Sequence, residues 1–409
     1  MDPETCTLPN GIRLVHRPVS SPVAHTGIFI HAGTRDEAEG ERGIAHFIEH
    51  TIFKGTRKRS VYRILNRLEN VGADLNAFTT KEDTCIYASF LSAYYDRALE
   101  LYHDIFFHSV FPEKELEKEK QVIIDEIRSY MDTPSEQIMD DFEDLVFRDH
   151  PLGHNILGTA GSLKKITQED IFRFIRETYR YDRIVIASIG NISFPKLTRM
   201  VYKYFNRPQE PGRGRERQAN LNYYPTEKRV KKKILQVHCS LGGPAFSFAD
   251  DRRIPLALLN NILGGPILNS RLSLALRERN GLTYHNESNY VPYTDTGIFS
   301  IYFATDPGLF ERALSIVFRE LKRLREKKLN PVQLHTIKKQ LTGQMAIGQE
   351  SNLSVMLAMG KSFLVQGRFD SFELLTRRIE SVTAEQLLYL SNDLFEPSKM
   401  SLLTFNPSR

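Results

Sequence analysis

The chain has 409 residues, 41% of them hydrophobic and 26% charged, which is the usage of a folded protein and excludes disorder as its main state. At about 150 residues per domain, that length suggests two or three domains. Lys and Arg exceed Asp and Glu by only 55 − 50 = 5, too mild an excess for a dedicated nucleic-acid binder.

The amino terminus, Met1–Cys6, has no basic region followed by an apolar stretch, and no later segment approaches the roughly 18 to 20 apolar residues of a membrane span. Cys6, Cys85 and Cys239 stand far apart with no CxxC spacing, so neither a disulfide framework nor a thiolate zinc site is indicated. A cytoplasmic protein in a reducing compartment, with no membrane partner, is expected.

The first informative segment is Gly43–Phe53. As a helix it places His46, Glu49, His50 and Phe53 at i, i+3, i+4 and i+7, on one face beside the apolar stripe Ala45, Ile48 and Ile52. Burying three unpaired ionisable groups would cost several kcal/mol, so something compensates them. Two imidazoles one turn apart reach a single Zn²⁺, and a Glu between them is placed to hold and deprotonate a water on the metal. H-x-x-E-H is the inverzincin order. The competing reading is a buried His-Glu pair with the second His half-exposed.

Leu75–Thr80 and Thr84–Phe90 are separated only by a turn, which favours antiparallel pairing. In Glu115–Ile127, the residues Glu119, Val122, Ile123 and Glu126 share a stripe. Acids on an apolar stripe offer a third ligand, Glu126, and a second carboxylate, Glu119, to hold an imidazole N–H. The competing reading, a solvated acidic helix, accounts for Glu113, Glu115 and Glu117 better than for these two.

The chain then repeats itself. Ile166–Ile171 opens a helix leading to the strand Ile184–Ile189, and Val382–Leu387 leads in the same way to Met400–Phe405, with Thr167 and Thr383 as N-caps. Asp83–Ala88 likewise pairs with Asp295–Ser300, and Asp96–Leu99 with Glu311–Leu314. Arg207–Arg217 is rich in Pro, Gly and charge and reads as an exposed linker. The basic run from Lys228 to Lys233 reads as its solvated continuation into the strand Ile234–Ser240, and a nucleic-acid patch is the weaker alternative, since no stacking aromatics alternate with the charges. The expected fold is α+β: two homologous domains, 1–206 and 223–409, joined by a linker at 207–222, each a mostly antiparallel sheet with helices on one face. Later, Ser270–Asn280 reads as a helix with Ser270 as N-cap and Gly281 just past its end, followed by an extended Leu282–Tyr284. Arg277 there could complement the helix dipole, and Tyr284 could be a core aromatic.

Taken with the opening Thr7–Ile12 and the steps from His50 to Glu126 and from Glu119 to Glu126, these segments resemble the M16 (pitrilysin or insulinase-like) zinc metallopeptidases, in particular half-length members related to mitochondrial processing peptidase. The resemblance covers essentially the whole chain. It implies one zinc ion per chain on His46, His50 and Glu126, Glu49 as catalytic base and Glu119 in support. It implies an edge strand at Leu75–Thr79 that adds a peptide substrate as an extra strand, with Asn76 and Ala77 as the contact positions. It implies that Arg277 and Tyr284 contact the peptide near its scissile carbonyl. A chain with one zinc motif and one Arg-Tyr pair is expected to form a homodimer, or a heterodimer with a related subunit, with each pair serving the partner's zinc. The expected activity is a zinc-dependent endopeptidase acting on peptides or short unfolded polypeptides. The alternatives are a noncatalytic assembly subunit, which usually lacks an intact zinc motif, and a zinc hydrolase of nonpeptide substrates.

Overall fold

A computed structural model describes residues 2–208, 214–217 and 222–408. The chain divides into two compact units, one of Met1–Arg128, His154–Gln218 and Gly348–Ser371, the other of Ser129–Gly153, Ala219–Ile347 and Phe372–Arg409.

The first unit is built on six strands: β1 (Glu4–Thr7), β2 (Arg13–Pro18), β3 (Val23–Ile30), β4 (Asp74–Thr79), β5 (Thr84–Leu91) and β6 (Ile184–Gly190). They lie in the order β1-β2-β6-β3-β5-β4, so β4 is an edge. Only β2 and β6 run parallel. Alternation along β3 divides the core: Ile28 and Ile30 face one side and Phe29 the other. On the first side the sheet is covered by several helices, including Ile44–Thr51, Tyr95–His108 and Gln168–Thr178, through Phe47, Ile48, Leu99, Tyr102, Ile171 and Phe174.

The second unit repeats the plan with β7 (Glu227–Lys232), β8 (Val237–Ala245), β9 (Thr283–Pro292), β10 (Gly297–Thr305) and β11 (Ser401–Pro407), ordered β7-β11-β8-β10-β9. Again one pair, β7 with β11, is parallel and the rest antiparallel. Strand for strand the sheets correspond, with β1 the one addition, as expected of a duplicated α+β chain. Both expected Thr caps form: Thr167 accepts from Asp170 N–H, and Thr383 from Gln386 N–H.

Three features differ from the sequence reading. First, helices are not confined to one face. Val355, Met356, Met359 and Leu364 of the helix Asn352–Gln366 pack on the first sheet's second face, against Val15, Phe29, Cys85 and Val185. Ile138, Phe142, Leu145 and Val146 of Pro134–Val146 do the same on the second sheet, against Tyr302, Leu403 and Phe405. The cause is visible in β6 and β10, buried along their whole length, as strands covered on both faces must be. At Gly360 an added Cβ would lie 2.2 Å from the Phe29 ring, so the absence of a side chain there sets how closely that helix approaches. Second, the basic run is not linker. It is the strand β7, an edge whose exposed Lys and Arg suit it to solvent. Third, the end of the stretch read as an exposed linker is anchored, since Arg215 and Arg217 make ion pairs inside the first unit. Residues 209–213 and 218–221 of that stretch lie outside the described residues.

Candidate metal and catalytic site

The helix Ile44–Thr51 lies between β3 and the edge strand β4 in the chain and packs against β4. It starts abruptly. Gly43 has φ of 89°, a left-handed conformation that suits glycine, and a Cβ there would lie 2.8 Å from the Leu157 carbonyl oxygen. The first turn is capped from a distance, by Glu37: Gly43 N–H donates to Oε2 at 3.0 Å and Ala45 N–H to Oε1 at 3.0 Å. Burial pushes the Glu37 carboxyl up to about 8, although both N–H donors favour its charged form.

From this helix His46 and His50 converge with Glu126, which stands on Glu113–Met131. Glu126 Oε2 is 4.0 Å from His46 Nε2 and 3.6 Å from His50 Nε2. Ligands at about 2.1 Å from a tetrahedral ion sit roughly 3.4 Å apart, so a small contraction would close the set on Zn²⁺. Orientation fits as well. His50 Nδ1 is 3.2 Å from Glu119 Oε2, which leaves Nε2 with the lone pair turned toward Glu126. Burial, with His50 adding, pushes His46 down to about 4, so its ring is neutral and able to ligate at pH 7. Two imidazoles and a carboxylate match the three protein donors of a catalytic zinc site.

Glu49, half-buried on the same helix, has its carboxyl raised by burial, an effect countered by Thr79 and His50 and reinforced by the Glu126 carboxylate. Asn76 and Ala77 lie on β4, whose far side is an open edge. There the Ala77 N–H donates to Asn76 Oδ1 at 2.8 Å, a local bond that an added peptide strand would replace. Within the second unit, Ser273 N–H reaches Ser270 Oγ at 3.4 Å, and the segment Ser273–Glu278 is wound wider than an α-helix, with Arg279 N–H donating five residues back to Leu274 O at 3.1 Å. It ends in a left-handed cap at Gly281, φ 59°, with Gly281 N–H to Arg277 O, the single bond of the αL motif, and Leu282 N–H reaching back to Leu276 O, each 2.9 Å. Tyr284 follows on the edge strand β9 at 91% exposure, so it is no core aromatic.

The stripe on Glu113–Met131 is only partly as expected. Glu119 and Ile123 are buried and Glu126 sits at the rim, but Val122 is 50% exposed, because a three-residue step from Glu119 swings it off the packed face. Sequence reading missed Lys54, whose Nζ lies 2.5 Å from Glu119 Oε1, and the capping Glu37. The signal for Lys54 was its place four residues after His50.

The first half of the chain, residues 14–160, matches the family model "Insulinase (Peptidase family M16)", and residues 165–341 match "Peptidase M16 inactive domain". Among relatives, a Bacillus subtilis protein named as the uncharacterized zinc protease YmxG is 34% identical over 95% of this chain and 95% of its own. A Streptomyces coelicolor protein named as an uncharacterized zinc protease is 33% identical over 95% of this chain and 86% of its own. In fold, the chain resembles a Helicobacter pylori protease (TM-score 0.92, 21% identity, 99% of each chain). It also resembles a Pseudomonas fluorescens structure described as a peptidase M16 inactive domain (TM-score 0.93, 20% identity, 100% of this chain and 98% of that one).

Proposed function

Since the chain belongs to the insulinase (M16) family of peptidases, we propose that it is a zinc-dependent endopeptidase of peptides or short unfolded polypeptides. The observation that carries this reading is the convergence of His46, His50 and Glu126 beside a partly buried Glu49. His46, His50 and Glu126 hold one zinc, and Glu119, held by Lys54, orients His50. When bound, zinc supplies Lewis acidity toward a water and the scissile carbonyl. Glu49 takes the proton of the attacking water and delivers it to the leaving amine, a task suited to a carboxyl raised by burial. The peptide lies along β4 as an added strand, its carbonyls and N–H groups pairing with the main chain around Asn76 and Ala77. Arg277 and Tyr284 donate to the carbonyl oxygen as charge builds on it, and in a homodimer they serve the site of the other copy.

Metal analysis of purified protein with a quenched-peptide cleavage assay, with and without chelator, tests the reading. Stoichiometric zinc and chelator-sensitive cleavage are expected. Zinc without cleavage would support the assembly-subunit alternative, and cleavage that survives complete removal of metal would refute the proposal.

A further inference from the structure

The loop from Gly33 to Gly43 carries Asp36, Glu37 and Glu41, three acids that are all buried. Glu37 caps the histidine helix. The other two face arginines from far along the chain. Arg217 grips Asp36 with two parallel bonds, Nε to Oδ1 at 2.9 Å and Nη2 to Oδ2 at 2.7 Å, and also reaches Glu82 Oε1 at 3.4 Å and its carbonyl at 2.7 Å. Arg215 donates to the Asp36 carbonyl at 2.9 Å and to Glu41 Oε2 at 2.5 Å, while its Nη2 lies 2.8 Å from Glu177 Oε2 and its guanidinium sits over the Phe174 ring at 5.2 Å. Asp36 in turn accepts from Gly33 N–H at 2.9 Å, and Glu41 from Ala38 N–H at 3.1 Å. The two ends of the capping loop are thus each closed by an arginine, with Glu37 between them.

We propose that Arg215 and Arg217 are positioning residues for the metal site: from the stretch between the two halves of the sequence, they fix the loop that caps the helix bearing His46 and His50. The physical requirement is charge. Without the arginines, Asp36 would lose its ion pair, and Glu41 and Glu82 would each lose one of theirs, Glu41 keeping Arg173 at 3.0 Å and Glu82 keeping Arg35 at 2.7 Å. Three carboxylates would then be crowded with less positive charge in a place closed to water, and a buried pair that loses one partner leaves an uncompensated charge behind. The loop would open to hydrate them, Glu37 would leave the amides of Gly43 and Ala45, and the first turn, which contains His46, would fray. Arg217 makes a bidentate contact that an ammonium cannot reproduce, so Lys is an incomplete substitute. The inference rests on His46 and His50 being metal ligands, but its first consequence, the fixed cap, does not need metal.

The test therefore has two readouts on the full-length chain: amide exchange at Gly43 and Ala45 in metal-free protein, and zinc affinity by competition with a chromophoric chelator. Arg217→Gln is expected to speed exchange at both amides by roughly tenfold or more and to weaken zinc binding by about 10- to 100-fold, the range seen when groups supporting a ligand are lost. Arg217→Lys should fall between Arg217→Gln and wild type. Arg229→Gln, on the exposed strand β7, should match wild type. If Arg217→Gln does not fold, the Arg217→Lys protein decides by the same two measurements. Folded variants with unchanged protection at Gly43 and Ala45 would overturn the proposal, as would lost protection with zinc affinity untouched. Absence of zinc binding in the wild type would instead sink the proposed function, leaving the cap to stand or fall on exchange alone.

Discussion

The helices Ile44–Thr51 and Arg253–Gly264 occupy the same station in two copies of one topology, each following the strand two in from the edge and packing on the edge strand that comes next, β4 or β9. The second is what packing alone asks for: Leu256, Leu258, Leu259, Ile262 and Leu263 are buried, and Gly264 approaches so closely that a Cβ would lie 2.5 Å from Ser288 N. The first spends the same station on His46, Glu49 and His50, and then needs Glu119, Lys54 and a remote cap to hold them. The fold does not require titratable groups at this place, since one copy does without them. Their presence in the other copy is therefore a matter of chemistry.

The largest effect expected from breaking this asymmetry is at Glu49. Glu49→Gln should lower peptide hydrolysis by about 10³-fold while zinc content, read by metal analysis, stays stoichiometric. Near-normal turnover in a zinc-loaded sample would remove Glu49 from the chemistry. Next comes Arg277→Ala, for which a loss of about 10²-fold in kcat/KM is expected with no release of metal. A mixed dimer of Glu49→Gln and Arg277→Ala chains should regain up to about half of wild-type activity, and a mixed dimer as inactive as its parents would show that the two units do not cooperate between copies.

Acid should separate the units thermodynamically. Burial, with Arg207 and His108 adding, holds the folded His103 down to about 4, so between its ordinary 6.5 and about 4 the unfolded chain binds the extra proton. The contribution of His103 to stability is thus complete above pH 6.5 and is lost as pH drops toward 4. His103→Gln should flatten that part of the profile in denaturant titrations, and an unchanged slope would refute the assignment. The smallest effect expected is structural: Gly360→Ala pushes against Phe29 and should destabilise the first unit by about 1 to 3 kcal/mol, measured by thermal melting. A neutral result would mean that the helix shifts freely on the sheet.

The local parts of this architecture were legible. Thr167, Thr383 and Gly281 announce helix ends because capping chemistry is decided within a few residues. His46, Glu49, His50, Glu119 and Glu126 stand out because charge on an apolar stripe is visible in periodicity alone. What escaped depends on partners distant in the chain. The strand β7 pairs with β11, more than a hundred residues away, so its basic run looked like linker. Arg215 and Arg217 carry no sign in their own neighbourhood of the acids at Asp36, Glu41 and Glu82. The helix Asn352–Gln366 carries an apolar face, but nothing nearby says which sheet it will cover.

That last helix makes the order of synthesis matter. The strands of the first sheet are all made by Gly190, yet Val15, Phe29, Cys85 and Val185 wait for Val355, Met356 and Met359 before their side of the sheet is dry. For well over a hundred residues of translation the nascent chain therefore offers a bare apolar surface, the kind that recruits chaperones or other chains. A product ending at residue 206 would keep that surface for good. A fragment with the whole zinc motif and a complete sheet should then be sticky, and adding Asn352–Gln366 as a separate peptide is the direct way to quiet it.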